Sequence, residues 1–133
     1  MEKINLKTTR RIELIDITKD IQKTISNSKI KNGVCFIFCP HTTAGLTINE
    51  NADPSVKTDI LFTLERLIPE KGHYMHTEGN ADSHIKSSLF GASLSVFFEN
   101  GQLQLGTWQG IYFFEGDGPR SRQVWIKILV ESV

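Results

Sequence analysis

The chain has 133 residues, with 15 Lys and Arg against 15 Asp and Glu, so its formal net charge is zero. That length fits one domain and is short for two, and it lets roughly two-thirds of the unfolded surface be buried without help from a disulfide or a metal. Balanced charge argues against a duplex nucleic-acid binder, which carries a clustered basic excess, and against a polybasic membrane anchor. A composition 39% hydrophobic and 23% charged is that of a globular domain.

No apolar run approaches the ~20 residues that span a bilayer. The opening Met1-Glu2-Lys3-Ile4-Asn5-Leu6 has neither an apolar signal core nor a small-residue cleavage site, so the expected location is cytoplasmic. Cys35 and Cys39 fit a reducing compartment. On one face of a strand they stand about 13 Å apart, too far to bridge each other.

Ile4, Leu6, Ile12 and Leu14 recur at even spacing and predict a strand over 3–16, bent around Thr8–Arg11. Thr18 is expected to cap a short helix bearing Ile21 and Ile25 on one face. After an Asn32-Gly33 turn, Val34-Cys35-Phe36-Ile37-Phe38-Cys39 is nearly all apolar and predicts a buried central strand, ended by Pro40. Asp53-Pro54 marks a helix start, and Val56, Ile60, Leu64 and Leu67 follow at helical spacing up to Pro69. Residues 70–80 form a polar loop. A shorter helix follows from Asp82 or Ser83 to a C-cap at Gly91.

The last third predicts strands. Leu94, Val96 and Phe98 alternate, Asn100-Gly101 is a hairpin turn, and Leu103 and Leu105 resume the alternation. Ile111–Phe114 is a further strand, Asp117-Gly118-Pro119 a turn, and Val124–Val130 a final strand. The expected fold is α+β: one compact domain over 1–133, a mainly antiparallel sheet or sandwich with two to three short helices packed to one side.

Four histidines are the unusual part of the inventory. His41 follows the central strand, where it either caps the strand end through one backbone hydrogen bond or opens a site. His76 and His84 lie with Asn80 and Asp82 in a twelve-residue segment that suits a metal taking imidazole nitrogen, while His73 reads as a solvated loop residue. Three imidazoles with an open fourth position describe a catalytic zinc, and His41 would be the third. Glu50 is either a general base, a partner orienting a histidine, or an exposed acid. Arg120 and Arg122, after the Gly118-Pro119 turn, either pair with neighbouring acids or clamp a phosphate or carboxylate. Trp108 walls a pocket or fills the core. No phosphate-binding loop, dinucleotide fingerprint or nucleophile elbow is present in the sequence.

Four motifs occur in order: Cys39-Pro40-His41-Thr42-Thr43-Ala44-Gly45-Leu46-Thr47-Ile48-Asn49-Glu50-Asn51, Glu78-Gly79-Asn80-Ala81-Asp82-Ser83-His84-Ile85-Lys86, Leu105-Gly106-Thr107-Trp108-Gln109-Gly110-Ile111, and Asp117-Gly118-Pro119-Arg120. Together they resemble the YjbQ-like proteins over essentially the whole chain, a family credited with a secondary thiamine-phosphate synthase activity. The resemblance implies an α+β homotrimer with a polar cleft around a divalent metal such as zinc, held at the matching positions His41, His76 and His84. It further implies that Glu50, Asn80, Asp82, Trp108, Gln109 and Arg120 line or brace that cleft.

The expected function is that of a metal-containing enzyme acting on a small phosphorylated metabolite. Glu50, Asp82 and Arg120 are its candidate catalytic residues, and Asn80, Trp108, Gln109 and Arg120 its substrate contacts. The alternatives are a non-catalytic trimer that binds a small ligand or metal, and a metal-dependent hydrolase.

Overall fold

The structure is a computed structural model and describes residues 1–132. In chain order the elements are β1 (Glu2–Lys7), β2 (Glu13–Asp16), α1 (Thr18–Ser28), β3 (Gly33–Phe38), β4 (Ala44–Glu50), α2 (Pro54–Leu67), α3 (Ala81–Phe90), β5 (Ser93–Glu99), β6 (Gln102–Leu103), β7 (Gln109–Glu115) and β8 (Ser121–Val130). They form two antiparallel sheets, one of five strands in the order β1-β8-β3-β5-β6 and one of three in the order β2-β7-β4. This is the α+β sandwich expected from the strand-rich last third.

The main core lies between the sheets. Cys35 and Ile37 of β3, Val96 and Phe98 of β5, and Val124 and Ile126 of β8 face Leu46 of β4 and Ile111 and Phe113 of β7. On β7 the intervening Tyr112 and Phe114 point to the other face and, with Leu14, form a second small core. There Ile60 and Leu61 of α2 and Phe90 of α3 pack on them, and the Phe90 and Phe114 rings stack with centroids 4.3 Å apart. β7 is therefore buried on both faces, as its continuous apolar run requires. Gly45 of β4 permits the approach of α3, since a Cβ there would stand 2.9 Å from the Phe90 Cβ and 3.0 Å from the Gly91 carbonyl oxygen.

Several local expectations are corrected. Residues 3–16 make two strands in different sheets, because the chain crosses from one sheet to the other between β1 and β2. Thr18 is the first helical residue rather than the cap: the Asp16 carboxylate accepts its backbone N–H at 2.9 Å, and its hydroxyl oxygen accepts the Ile111 N–H at 2.9 Å. By contrast, Asp53 caps α2 through the Ser55 N–H at 2.9 Å, with Pro54 in the first turn. The hairpin at Asn100-Gly101 has both residues at positive φ, yet the strand after it is only two residues long. The helices do not share one side. α2 and α3 cover the outer face of the three-stranded sheet, whereas α1 drives Ile21 and Ile25 into the main core. Cys35 and Cys39 are both buried free thiols, and burial pushes Cys35 up to about 11.

Candidate functional site

Four segments converge where β4 begins. The β1–β2 loop meets the β7–β8 turn through Thr8 N–H to the Arg120 carbonyl (3.0 Å) and Gly118 N–H to the Arg11 carbonyl (2.9 Å). Gly116 N–H reaches the Thr43 carbonyl at 2.9 Å, and the Ser83 hydroxyl at the start of α3 donates to the Gly116 carbonyl. Beneath this junction lies a buried ion pair. Arg122 of the five-stranded sheet binds Glu115 of the three-stranded sheet through Nε (2.9 Å to Oε1) and Nη2 (2.5 Å to Oε2). The Thr8 hydroxyl donates to Glu115 Oε1 at 2.6 Å, and Arg122 Nη2 also reaches the Thr43 hydroxyl oxygen at 2.8 Å. Burial alone would raise the Glu115 carboxyl, but the hydrogen bonds from Arg122 and Thr8 outweigh it and hold it below the usual carboxylate range.

A second ion network anchors α3. Asp82 is fully buried and takes Arg11 in a bidentate fork (Nη2–Oδ1 2.9 Å, Nη1–Oδ2 3.2 Å) together with Lys86 Nζ at 2.8 Å. Lys86 continues to Glu65 of α2, and Arg11 Nε to Glu70 at 3.3 Å. Burial opposes the charge on Asp82, yet Arg11 and Lys86 overcome it and keep the carboxyl below its ordinary range. With both oxygens engaged by cations, Asp82 has no lone pair directed at open solvent; its position is that of an anchor between α3, α2 and the β1–β2 loop.

Of the candidate ligands, His76 and His84 are brought together, their ring centroids 5.1 Å apart and edge to face. They line a shallow open cleft with Tyr74, Met75, Ala81 and Ile85. His73 is exposed in the preceding loop. His41 stands elsewhere: its Nε2 accepts the backbone N–H of Gln123 at 2.9 Å, filling the place beside β8 that β3 vacates after Phe38. This is the strand-end cap. Burial, with the Arg122 charge nearby, holds the imidazole below its usual value. An imidazole accepting at Nε2 carries its proton on Nδ1, so neither nitrogen offers a free lone pair. Among the described residues no three His, Cys, Asp or Glu side chains gather where they could hold one ion. The three-histidine centre implied by the resemblance therefore does not form within a single chain among the described residues, and of its members only His76 and His84 lie side by side.

Near that pair, Asn80 Nδ2 donates to Asp117 Oδ2 at 2.8 Å, and Asp117 in turn binds Arg120 (Nη2–Oδ2 2.9 Å; Nε to the Asp117 carbonyl 2.6 Å). Arg120 is half-exposed and pre-oriented by these contacts. Asn80 Oδ1 is the one buried side-chain polar atom left without a partner among the described residues.

Glu50, Trp108 and Gln109 lie at the opposite end of β4, six residues from Ala44 and so about 20 Å along the strand. Trp108 is neither a core residue nor a wall of the histidine cleft; it is 62% exposed in the turn before β7. The Gln109 side chain closes that turn by accepting the Gly106 N–H at 2.8 Å. The expected single cleft is thus two separate regions in one chain. Sequence reasoning missed Arg11 and the buried Lys86, for which the Asp82–Lys86 spacing of one helical turn was the available signal. It offered pairing of Arg122 with a neighbouring acid, and the structure shows that pair, with Glu115, to be buried.

The family model described as UPF0047 protein YjbQ-like matches residues 2–131. A UPF0047 protein of Methanocaldococcus jannaschii is 55% identical over 127 residues, covering 96% of this chain and 92% of its own length. YugU of Bacillus subtilis is 51% identical over 130 residues, covering 97% and 98%. A crystal structure of a YjbQ/UPF0047 protein from Clostridium acetobutylicum superposes with a TM-score of 0.94 at 52% identity, covering 97% of this chain and all of that one. A Thermus thermophilus structure does so with 0.90 at 38% identity, covering 97% and 100%. Sequence and fold agree over nearly the full length, and the chain belongs to the YjbQ (UPF0047) family.

Proposed function

We propose that the chain is a cytoplasmic enzyme acting on a small phosphorylated metabolite, with a secondary thiamine-phosphate synthase activity, and that it works as a homotrimer. The observation that carries the reading is Arg120. Its guanidinium is exposed, yet fixed by Asp117, and Asp117 is tied through Asn80 to the start of the helix that bears His84. A fixed exposed guanidinium suits a phosphate or diphosphate oxygen. In a reaction that joins a pyrimidine diphosphate to a thiazole phosphate, Arg120 would stabilise the charge of the departing pyrophosphate. A divalent ion such as zinc would be held by His76 and His84 and would supply further positive charge to phosphate oxygens.

A non-catalytic ligand-binding role is the second reading, supported by Asp82: a fully buried carboxylate held by both Arg11 and Lys86 is out of reach of a substrate proton. Pyrophosphate release from the two precursors, measured with and without added divalent metal, separates the readings. Turnover that falls at least tenfold in Arg120→Ala with unchanged thermal stability supports the enzyme. Binding of both precursors without turnover supports the second reading, and phosphate release from one precursor alone indicates a hydrolase. Zinc binding followed by calorimetry is expected to be lost in His84→Ala and retained in His41→Ala.

A further inference from the structure

The cleft between the loop after α2 and the first turns of α3 holds a third candidate ligand beside its two histidines. Met75 lines it together with His76 and His84, and its side chain is 97% exposed. The donors gathered there are thus two imidazoles and a thioether, with Tyr74, Ala81 and Ile85 as the remaining lining. The Tyr74 hydroxyl is already donated to the Pro69 carbonyl at 2.5 Å. A carboxylate, Glu78, stands 3.7 Å from His76 Nε2, but it is largely exposed and outside the lining. Arg11 fixes both walls at once. Its Nε holds Glu70, at the root of the loop that carries His76, at 3.3 Å, and its Nη atoms hold Asp82, two residues before His84.

We propose that Met75, His76 and His84 form a binding site for copper(I). Metal choice follows the softness and number of the donors: a thioether selects copper(I), while imidazole serves copper and zinc alike. Zinc takes four protein ligands in a structural site and three in a catalytic one, more than a pair of imidazoles supplies. Copper(I), a closed-shell ion of single charge, is satisfied by two or three neutral donors. A monovalent ion also gives up far less hydration than a divalent one on entering a cleft with apolar walls, because ionic solvation grows with the square of the charge. Thiolates would be stronger ligands still, but Cys35 and Cys39 are buried, and burial pushes the Cys35 thiol up to about 11. The inference rests on the same histidine pair as the metal part of the reading above and is independent of its catalytic part.

Copper(I) and zinc, titrated separately into the purified metal-free chain, test it, with copper(I) kept reduced by ascorbate under argon and bicinchoninate as the competing chelator. The wild-type chain is expected to bind copper(I) at least 100-fold more tightly than zinc. Met75→Leu keeps the volume of the side chain and removes the sulfur. It should weaken copper(I) binding at least tenfold and change zinc binding less than twofold, with unchanged far-ultraviolet circular dichroism. X-ray absorption at the copper edge should show a sulfur neighbour in the wild type that Met75→Leu removes. His84→Ala should lose copper(I), and His73→Ala should keep it. Copper(I) that binds no more tightly than zinc overturns the inference, as does a Met75→Leu variant that binds it like the wild type. So does a His84→Ala variant that still binds it, which would place the ion on the cysteines. Zinc bound without copper(I) sinks this inference and leaves the zinc of the reading above; copper(I) without zinc does the reverse, and neither ion bound overturns both.

Discussion

His41 accepts a backbone proton at Nε2, so protonating the ring sets two donors against each other across 2.9 Å. Its folded value lies below the unfolded one of about 6.5. The unfolded chain therefore binds the proton more readily, and this contribution to stability is present above that value and lost as pH falls through the folded one. The unfolding temperature should drop from pH 7 to pH 5, and less steeply in His41→Ala. That variant also orphans the Gln123 N–H, a loss of about 1–3 kcal/mol in urea titration at pH 7. Glu115 and Asp82 act in the same direction at lower pH, because both are held below the ordinary carboxylate range. Arg122→Met should be the most damaging single change, about 3–5 kcal/mol, since it leaves Glu115 charged and buried. Glu115→Leu with Arg122→Met should recover much of that loss, again read by urea titration. His41 as a strand-end cap was legible in the sequence because Pro40 ends the strand just before it. Pairing of Arg122 with a neighbouring acid was legible too, but the burial of its pair with Glu115 was not, because that depends on the division of β7 and β8 between two packed sheets.

Among the elements, Asp53-Pro54 and Asn100-Gly101 could be read directly because the cap and the turn are set by a few neighbouring atoms. Thr18 was misread because its hydroxyl is recruited by Ile111, 93 residues away. The alternation over 3–16 was real, but periodicity does not say that a strand changes sheets midway. The packing of α3 on β4 depends on Gly45. Gly45→Ala should cost about 1–3 kcal/mol by overpacking against Phe90 and Gly91. Hydrogen exchange should then quicken in α3 before it does so in β3 or β8. Because α3 carries His84, a proposed zinc ligand, the same variant tests the proposal from a distance: it should weaken any zinc binding without replacing His76 or His84.

For the molecule as a whole, four motifs that occur in order along the chain do not gather at one place. The motif residues at the start of β4 and α3 are separated by the length of β4 from Glu50, Trp108 and Gln109. Linear order announced the family and the α+β sandwich, but not this partition, because proximity between motifs depends on which end of a strand each one occupies. The apolar run of β3 was likewise correctly read as a strand meant for burial, while the single chain covers only one of its faces.

Topology also bears on synthesis. β8 is the most C-terminal of the eight strands, yet it lies inside its sheet, hydrogen-bonded on one side to β1 and on the other to β3. While a chain is being made, β1 and β3 must therefore wait with open edges until residues 121–130 arrive, and the main core cannot close before then. Proteolysis of nascent chains stalled before Ser121 should cut freely within residues 2–38, and protection should appear only once β8 has cleared the ribosome.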